Sequence, residues 1–250
     1  MRRKTPAKDR WALLDNLRGL NLVSMIAYHA CWDLVYLFGH DWAWYRSLGA
    51  FLWQQSICWT FILLSGFCVC LGHRPLRRGL EVSAAGAAVT AVTLAVMPEN
   101  RILCGVLTLL GACMITTGLL DGWLRRIPAP AGAAGSLLLF LLTRNVNRGY
   151  LGFASFHLAL PEELYRNLFT AFLGFPPGDF WSTDYFSLLP WLFLFWTGYY
   201  LRKGSPERLP SGGRRFPVLA WLGENSLLVY MVHQPAVYGA LAVFHWLGAA

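Results

Sequence analysis

LLDNLRGLNLVSMIAYHACWDLVYLF, from Leu13 to Phe38, is apolar over a membrane-spanning length and still carries Asp15, Arg18, His29 and Asp33. Ionisable side chains inside a bilayer are costly and persist mainly where they face a cavity, a partner or a reaction. At about 100° per residue, Asp15 to Arg18 is about 60° round a helix, Arg18 to His29 about 20° and His29 to Asp33 about 40°. All four therefore fall on one stripe. Arg18 lies about 16 Å from His29 along the axis, at a rise of 1.5 Å per residue. The stretch reads as a membrane helix with a polar seam and a titratable imidazole near its middle.

The rest of the chain extends that reading. Its 250 residues are 56% hydrophobic and only 14% charged, with a mean hydropathy of +0.44, which places it among multi-span helical membrane proteins. The length leaves room for a single membrane-embedded domain, residues 1–250. Trp42, Trp44 and Tyr45 after the first helix suit an interfacial belt. The six cysteines all sit in apolar segments without zinc-type spacing, so they read as free buried thiols and no metal is expected. There is no P-loop, dinucleotide fingerprint, His-Glu-x-x-His, Gly-x-Ser-x-Gly or CxxC pair, which excludes ATPase and zincin chemistry by motif. No cleavable signal peptide is read at the N-terminus.

The net charge of +8 is distributed as topology rather than as a nucleic-acid surface, and no nucleic-acid partner is expected. Candidate spans are Leu13–Phe38, Ala50–Leu71, Leu80–Met97, Ile102–Leu120, Pro130–Thr143, Tyr185–Leu201 and Val218–Trp246. Fifteen basic residues then fall on one side, in the N-terminal segment 1–12 and in the loops carrying Arg74, Arg125 and Arg202. Five fall on the other: Arg46, Arg101, Arg144, Arg148 and Arg166. The positive-inside bias predicts an all-α bundle of about seven transmembrane helices with a cytoplasmic N-terminus. The extracytoplasmic loop 144–184 contains Glu162–Phe175, whose Leu164, Leu168, Phe172 and Phe175 recur at helical spacing and suggest an interfacial helix.

Asp33 lies one helical turn beyond His29, within i,i+4 reach. A carboxylate there can orient an imidazole and stabilise its cation, an arrangement suited to general-base or nucleophilic chemistry. A histidine that merely packs against a neighbouring helix fits the same spacing. Asp15 and Arg18, a turn apart near the cytoplasmic end, read either as an internal ion pair or as an anion site presented by the planar guanidinium. In the last span His233, Gln234 and Pro235 interrupt an apolar run, and His233 is a second candidate reactive group. His40, just beyond the first helix, reads by itself as loop.

These residues carry a resemblance. Leu14-Asp-Asn-Leu-Arg-Gly-Leu followed by Met25-Ile-Ala-Tyr-His-Ala-Cys-Trp-Asp-Leu resembles the start of bacterial proteins with a heparan-alpha-glucosaminide N-acetyltransferase catalytic domain. Phe61-Ile-Leu-Leu-Ser-Gly, the block Phe180–Trp191 and the block Leu222–Pro235 are similar to later parts of that family. Arg18 and His29, ten residues between them, also resemble a pattern of membrane acyltransferases that modify surface glycans. The resemblance implies transfer of an acetyl or other acyl group from cytoplasmic acyl-CoA to an extracytoplasmic carbohydrate or other small acceptor. It makes Arg18, helped by Asp15, the donor-binding pair, and His29 with Asp33 the first catalytic candidates. In the lysosomal enzyme that names the family, Asn stands where His29 does here and the acetyl-carrying histidine is proposed just past the first helix, so His40 is the nearest counterpart. The acceptor side of this chain is much shorter, which argues against heparan sulfate as substrate. The expected setting is the bacterial cytoplasmic membrane, in contact with lipid, with oligomeric state open. The rival reading is a small-solute or proton-coupled transporter using the same seam, although no inverted repeat is visible.

Overall fold

The computed structural model describes residues 12–72, 74–153, 156–206 and 214–249. The basic N-terminal residues 1–11 and Arg208, both used in the charge count, lie outside them. Nine α-helices form among the described residues: α1 (Ala12–Tyr36), α2 (Leu48–Val69), α3 (Pro75–Val96), α4 (Val106–Leu124), α5 (Ala129–Thr143), α6 (Leu168–Leu173), α7 (Leu188–Gly204), α8 (Pro217–Glu224) and α9 (Ser226–Ala249). Four are long and apolar enough to cross a membrane: α2, α3, α4 and Ser226–Leu247 of α9. α1 is 25 residues long, and its polar seam is what lowers its hydropathy. α5, at 15 residues, extends only about 22 Å against a hydrocarbon core of about 30 Å. The exposed faces are rich in large apolar side chains, as on α9 at Val232, Val243, Phe244 and Leu247. Such a surface belongs against lipid. The protein is an integral membrane protein of mainly helical fold.

The chain divides into two compact units, one built from residues up to Phe61 together with those from Pro206 onward, the other from Ile62–Ser205. In the first unit α1 packs on α8 at backbone-contact distance. A side chain at Gly19 would collide with the Leu219 carbonyl, and one at Gly223 with the Asp15 carbonyl. The core gathers Leu22, Met25 and Ile57 with Tyr28, Trp53, Leu222 and Tyr230 around them. Polar side chains tie the elements together. Asn21 donates to the Ile57 carbonyl at 3.1 Å and Trp53 Nε1 donates to Ser24 Oγ at 2.8 Å, joining α1 to the start of α2. Asn16 donates to the Arg214 carbonyl at 2.8 Å and accepts from the Phe216 amide at 3.2 Å, fixing the approach to α8.

In the second unit α3 and α4 pair through Gly79, Gly86 and Gly111, and α5 pairs with α7 where Gly132 meets the Tyr200 ring. Asp184 accepts from the Val106 amide at 3.2 Å and so caps α4. Trp196 Nε1 donates to Thr117 Oγ1 at 3.0 Å, and the Tyr200 hydroxyl donates to the Leu124 carbonyl at 3.3 Å. Both bonds hold α7 against α4.

Two expectations need correction. The span predicted over Val218–Trp246 is not one helix. α8 ends at Glu224, Asn225 takes a non-helical conformation (φ −106°, ψ 27°), and its side chain donates back to the Trp221 carbonyl at 2.8 Å. α9 then starts afresh at Ser226. The helix predicted over Glu162–Phe175 shrinks to a 3-10 turn, Glu162–Leu164, and the six-residue α6. Asn167 and Thr170 form a reciprocal capping box that starts α6, and Gly174 at φ 135° stops it. The same loop also holds an antiparallel hairpin, β1 (Tyr150–Phe153) with β2 (Phe156–Ala159).

Candidate active site

All the residues that come together here belong to the first unit, on α1 and α9. The His29 and His233 rings approach edge to face, with centroids 4.9 Å apart and planes at 62°. His233 Nδ1 lies 2.6 Å from the Tyr230 carbonyl oxygen. A carbonyl only accepts, so Nδ1 carries the proton and donates, leaving the Nε2 lone pair available. His233 is buried, and Nε2 has no hydrogen-bond partner among the described residues. His29 is partly buried, with Tyr28 beside it at 6.3 Å between ring centroids.

Asp33 is fully buried. Its Oδ1 accepts from Gln234 Nε2 at 2.6 Å, a short bond between α1 and α9. Asp33 Oδ2 and Gln234 Oε1 have no partner among the described residues, and no hydrogen bond there joins Asp33 to His29. The carboxylate thus orients the amide next to His233. Asp33 Oδ2, Gln234 Oε1 and His233 Nε2 are thus three buried polar atoms without a hydrogen-bond partner among the described residues, and groups of this kind in an apolar bundle make the place a candidate site. Pro235 follows at once and leaves the Met231 carbonyl without its usual helical donor.

Aromatic side chains pack alongside. Tyr28 contacts Trp53 and Tyr45 at centroid distances of 5.2 and 5.1 Å, and the Tyr45 hydroxyl donates to the Tyr28 carbonyl at 3.2 Å. Burial pushes the Tyr45 phenol well above its ordinary pKa, which keeps it a neutral donor.

The other candidates lie elsewhere on the unit. Arg18 Nη1 is 3.8 Å from Asp15 Oδ1, an i,i+3 pair with the arginine side chain 25% exposed. His40 is exposed on the loop after α1, its ring 5.9 Å from that of Trp42. Among the described residues it makes no ring contact or hydrogen bond with His29 or His233. Gln234 is the residue that spacing passed over. Its signal was present: an amide beside a histidine in the middle of an apolar span is as costly as the histidine.

A helical membrane protein that sets two imidazoles in ring contact, one of them buried, beside a buried carboxylate–amide bond between its first and last long helices carries the chemical groups of a membrane-embedded enzyme. The sequence model of the heparan-alpha-glucosaminide N-acetyltransferase catalytic family matches residues 10–235, and the chain belongs to that family of membrane acetyltransferases. The matched stretch takes in all of α1 and reaches Pro235, so it includes both histidines and Gln234. Comparison with curated proteins and with solved structures returns no match.

Proposed function

We propose that the protein transfers an acetyl or other acyl group from cytoplasmic acyl-CoA to an extracytoplasmic glycan or amino-sugar-type acceptor, across a bacterial cytoplasmic membrane that it spans seven times. The observation that carries this reading is the His29–His233 pair, with the lone pair of His233 Nε2 unspent and Gln234 held beside it by Asp33. One imidazole nitrogen takes the proton of the acceptor hydroxyl or amine as that group attacks the thioester carbonyl. The tetrahedral intermediate expels the CoA thiolate, which recovers the proton from the imidazolium. In the two-step variant the imidazole itself accepts the acyl group first. The second ring, in contact with the first, steadies its orientation. Arg18, with Asp15, faces the phosphates of the donor at the cytoplasmic end of α1.

The topology has its own support. In the second unit, residues around Val69, Gly72, Asp121 and Arg202 meet at one end of the bundle, so the ends of α2, α4 and α7 that lead into stretches assigned to the cytoplasm lie together. At the other end Ser182 bonds the Leu103 backbone, and Asn147 bonds the Gly174 carbonyl, Tyr185 and Ser187. This gathers the loops assigned outside.

The test is turnover of acetyl-CoA with an amino-sugar acceptor by purified wild type and three variants. His29→Ala and His233→Ala should each lose about 10²- to 10⁴-fold in rate, while His40→Ala retains most activity. Turnover that survives both core substitutions, or that is lost in His40→Ala alone, overturns the assignment.

A further inference from the structure

Apart from the site on α1 and α9, the second unit contains a cavity of about 390 Å³ at the end of the bundle where α2, α4 and α7 stop and α3 begins. That volume is in the range of small-ligand sites. Among its lining residues stand Arg125, Arg202 and Lys203 against a single carboxylate, Asp121. A fourth cation reaches the same wall: a Cβ on Gly72, which also lines the cavity, would collide with the Arg78 guanidinium.

Cations around helix C-termini are often there to offset the helix dipole, and Lys203 does this. Its ammonium donates to the Arg125 and Ile127 carbonyls at 2.7 and 2.5 Å, closing the end of α4. Arg125 is held by Asp121 at 2.7 Å but remains 72% exposed. Arg78 has no such role. It sits in the first turn of α3, where the dipole is positive and a cation is unfavourable, and that turn holds no acidic residue. Its neighbour Arg77 turns away to Glu81 at 2.9 Å. An anion in the cavity would meet Arg78 and the amide end of α3 on one side and the positive charge of Arg125 and Arg202 on the other. Leu71, Leu76, Leu119 and Leu120, all exposed, lie close by in sequence and supply apolar surface at the same end of the bundle.

We infer that this cavity binds a phosphate-bearing ligand, either the headgroup of an anionic phospholipid or a soluble phosphate compound. Basic pockets between membrane helices on the cytoplasmic side are where anionic headgroups settle. No lining residue belongs to α1 or α9, so the site stands or falls separately from acyl transfer.

Two measurements on the full-length protein decide the matter. Native mass spectrometry of detergent-purified protein with added phosphatidylglycerol reads lipid binding; isothermal titration of inorganic pyrophosphate into protein in phosphatidylcholine nanodiscs reads a soluble phosphate. Binding in the first alone assigns a lipid headgroup, and binding in the second assigns a soluble phosphate ligand. In either case Arg78→Gln and Arg202→Gln should each weaken binding about tenfold, the loss of one charge-assisted hydrogen bond. Asp121→Asn should strengthen it severalfold, because it removes the one carboxylate of the lining while keeping an acceptor for the Tyr199 hydroxyl. Absence of binding in both measurements, or binding unmoved by Asp121→Asn and the arginine variants, overturns the inference.

Discussion

Replacing Gln234 with leucine strands the Asp33 carboxylate, because the 2.6 Å bond from Gln234 is the hydrogen bond that this fully buried side chain accepts among the described residues. Hydrogen bonds between membrane helices average about 0.6 kcal/mol and reach about 1.7. Here the acceptor is ionisable and the partner lost is its own, so Gln234→Leu should cost about 2 kcal/mol, just above the top of that scale. Asp33→Leu strands a neutral amide instead, which costs less, about 1 kcal/mol. The double variant leaves nothing polar stranded, and its cost should fall below about 1 kcal/mol, since replacing both partners with apolar groups can be nearly neutral. The coupling energy is then about 2 kcal/mol. Reversible unfolding in mixed SDS and dodecylmaltoside micelles, followed by tryptophan fluorescence, measures all four corners of the cycle. If the double variant costs as much as the two singles added, with coupling under about 0.5 kcal/mol, the bond does not join α1 to α9 as described.

Gly19→Leu should destabilise the first unit by about 3 kcal/mol or more, the cost of overpacking against backbone; the added Cβ would lie 2.6 Å from the Leu219 carbonyl carbon, and unchanged stability in the same micelle assay would refute the α1–α8 contact. Acetyl-CoA should raise the unfolding temperature by mass action, and Arg18→Ala should reduce that rise more than Arg46→Ala; equal effects would remove Arg18 from the donor site. Cysteines placed at Ser205 and Asp179 should label from opposite faces of the membrane, Asp179 from outside, and labelling from one face would delete a span from the proposed seven.

The seam on α1 was legible because it is a local property. Helical periodicity set Asp15 beside Arg18 and put His29 and Asp33 on one stripe, and the ion pair forms at i,i+3 as spacing requires. Periodicity locates a face but not what packs against it. The partner of Asp33 comes from 201 residues away, and only the folded chain reveals that the carboxylate serves Gln234. The break at Asn225 was half legible: Asn225 and Ser226 are cap-type residues able to start a helix, but nothing marked the end of one before them. Leu222-Gly-Glu-Asn-Ser-Leu-Leu has no proline, and a hydropathy window averages across one residue in a non-helical conformation. In the loop 144–184 the spacing of Leu164, Leu168 and Phe172 favoured a helix, but the Asn167 cap can start only one, and it starts it late. The charged cavity was invisible for want of any motif: it is assembled from the ends of separate helices.

The bond between Asp33 and Gln234 also sets an order of events in synthesis. At about 5–20 residues per second, Gln234 emerges roughly 10–40 s after Asp33. Asn16 waits as long for the backbone of Arg214 and Phe216. During that interval α1 resides in the translocon or the nascent bilayer with Asp33 still lacking Gln234, and by its end the residues of the α3–α4 and α5–α7 pairs have all been made. The first helix to be made is therefore among the last to be finished, and a chain truncated before α9 leaves it exposed to whatever surveys orphaned polar helices in the membrane.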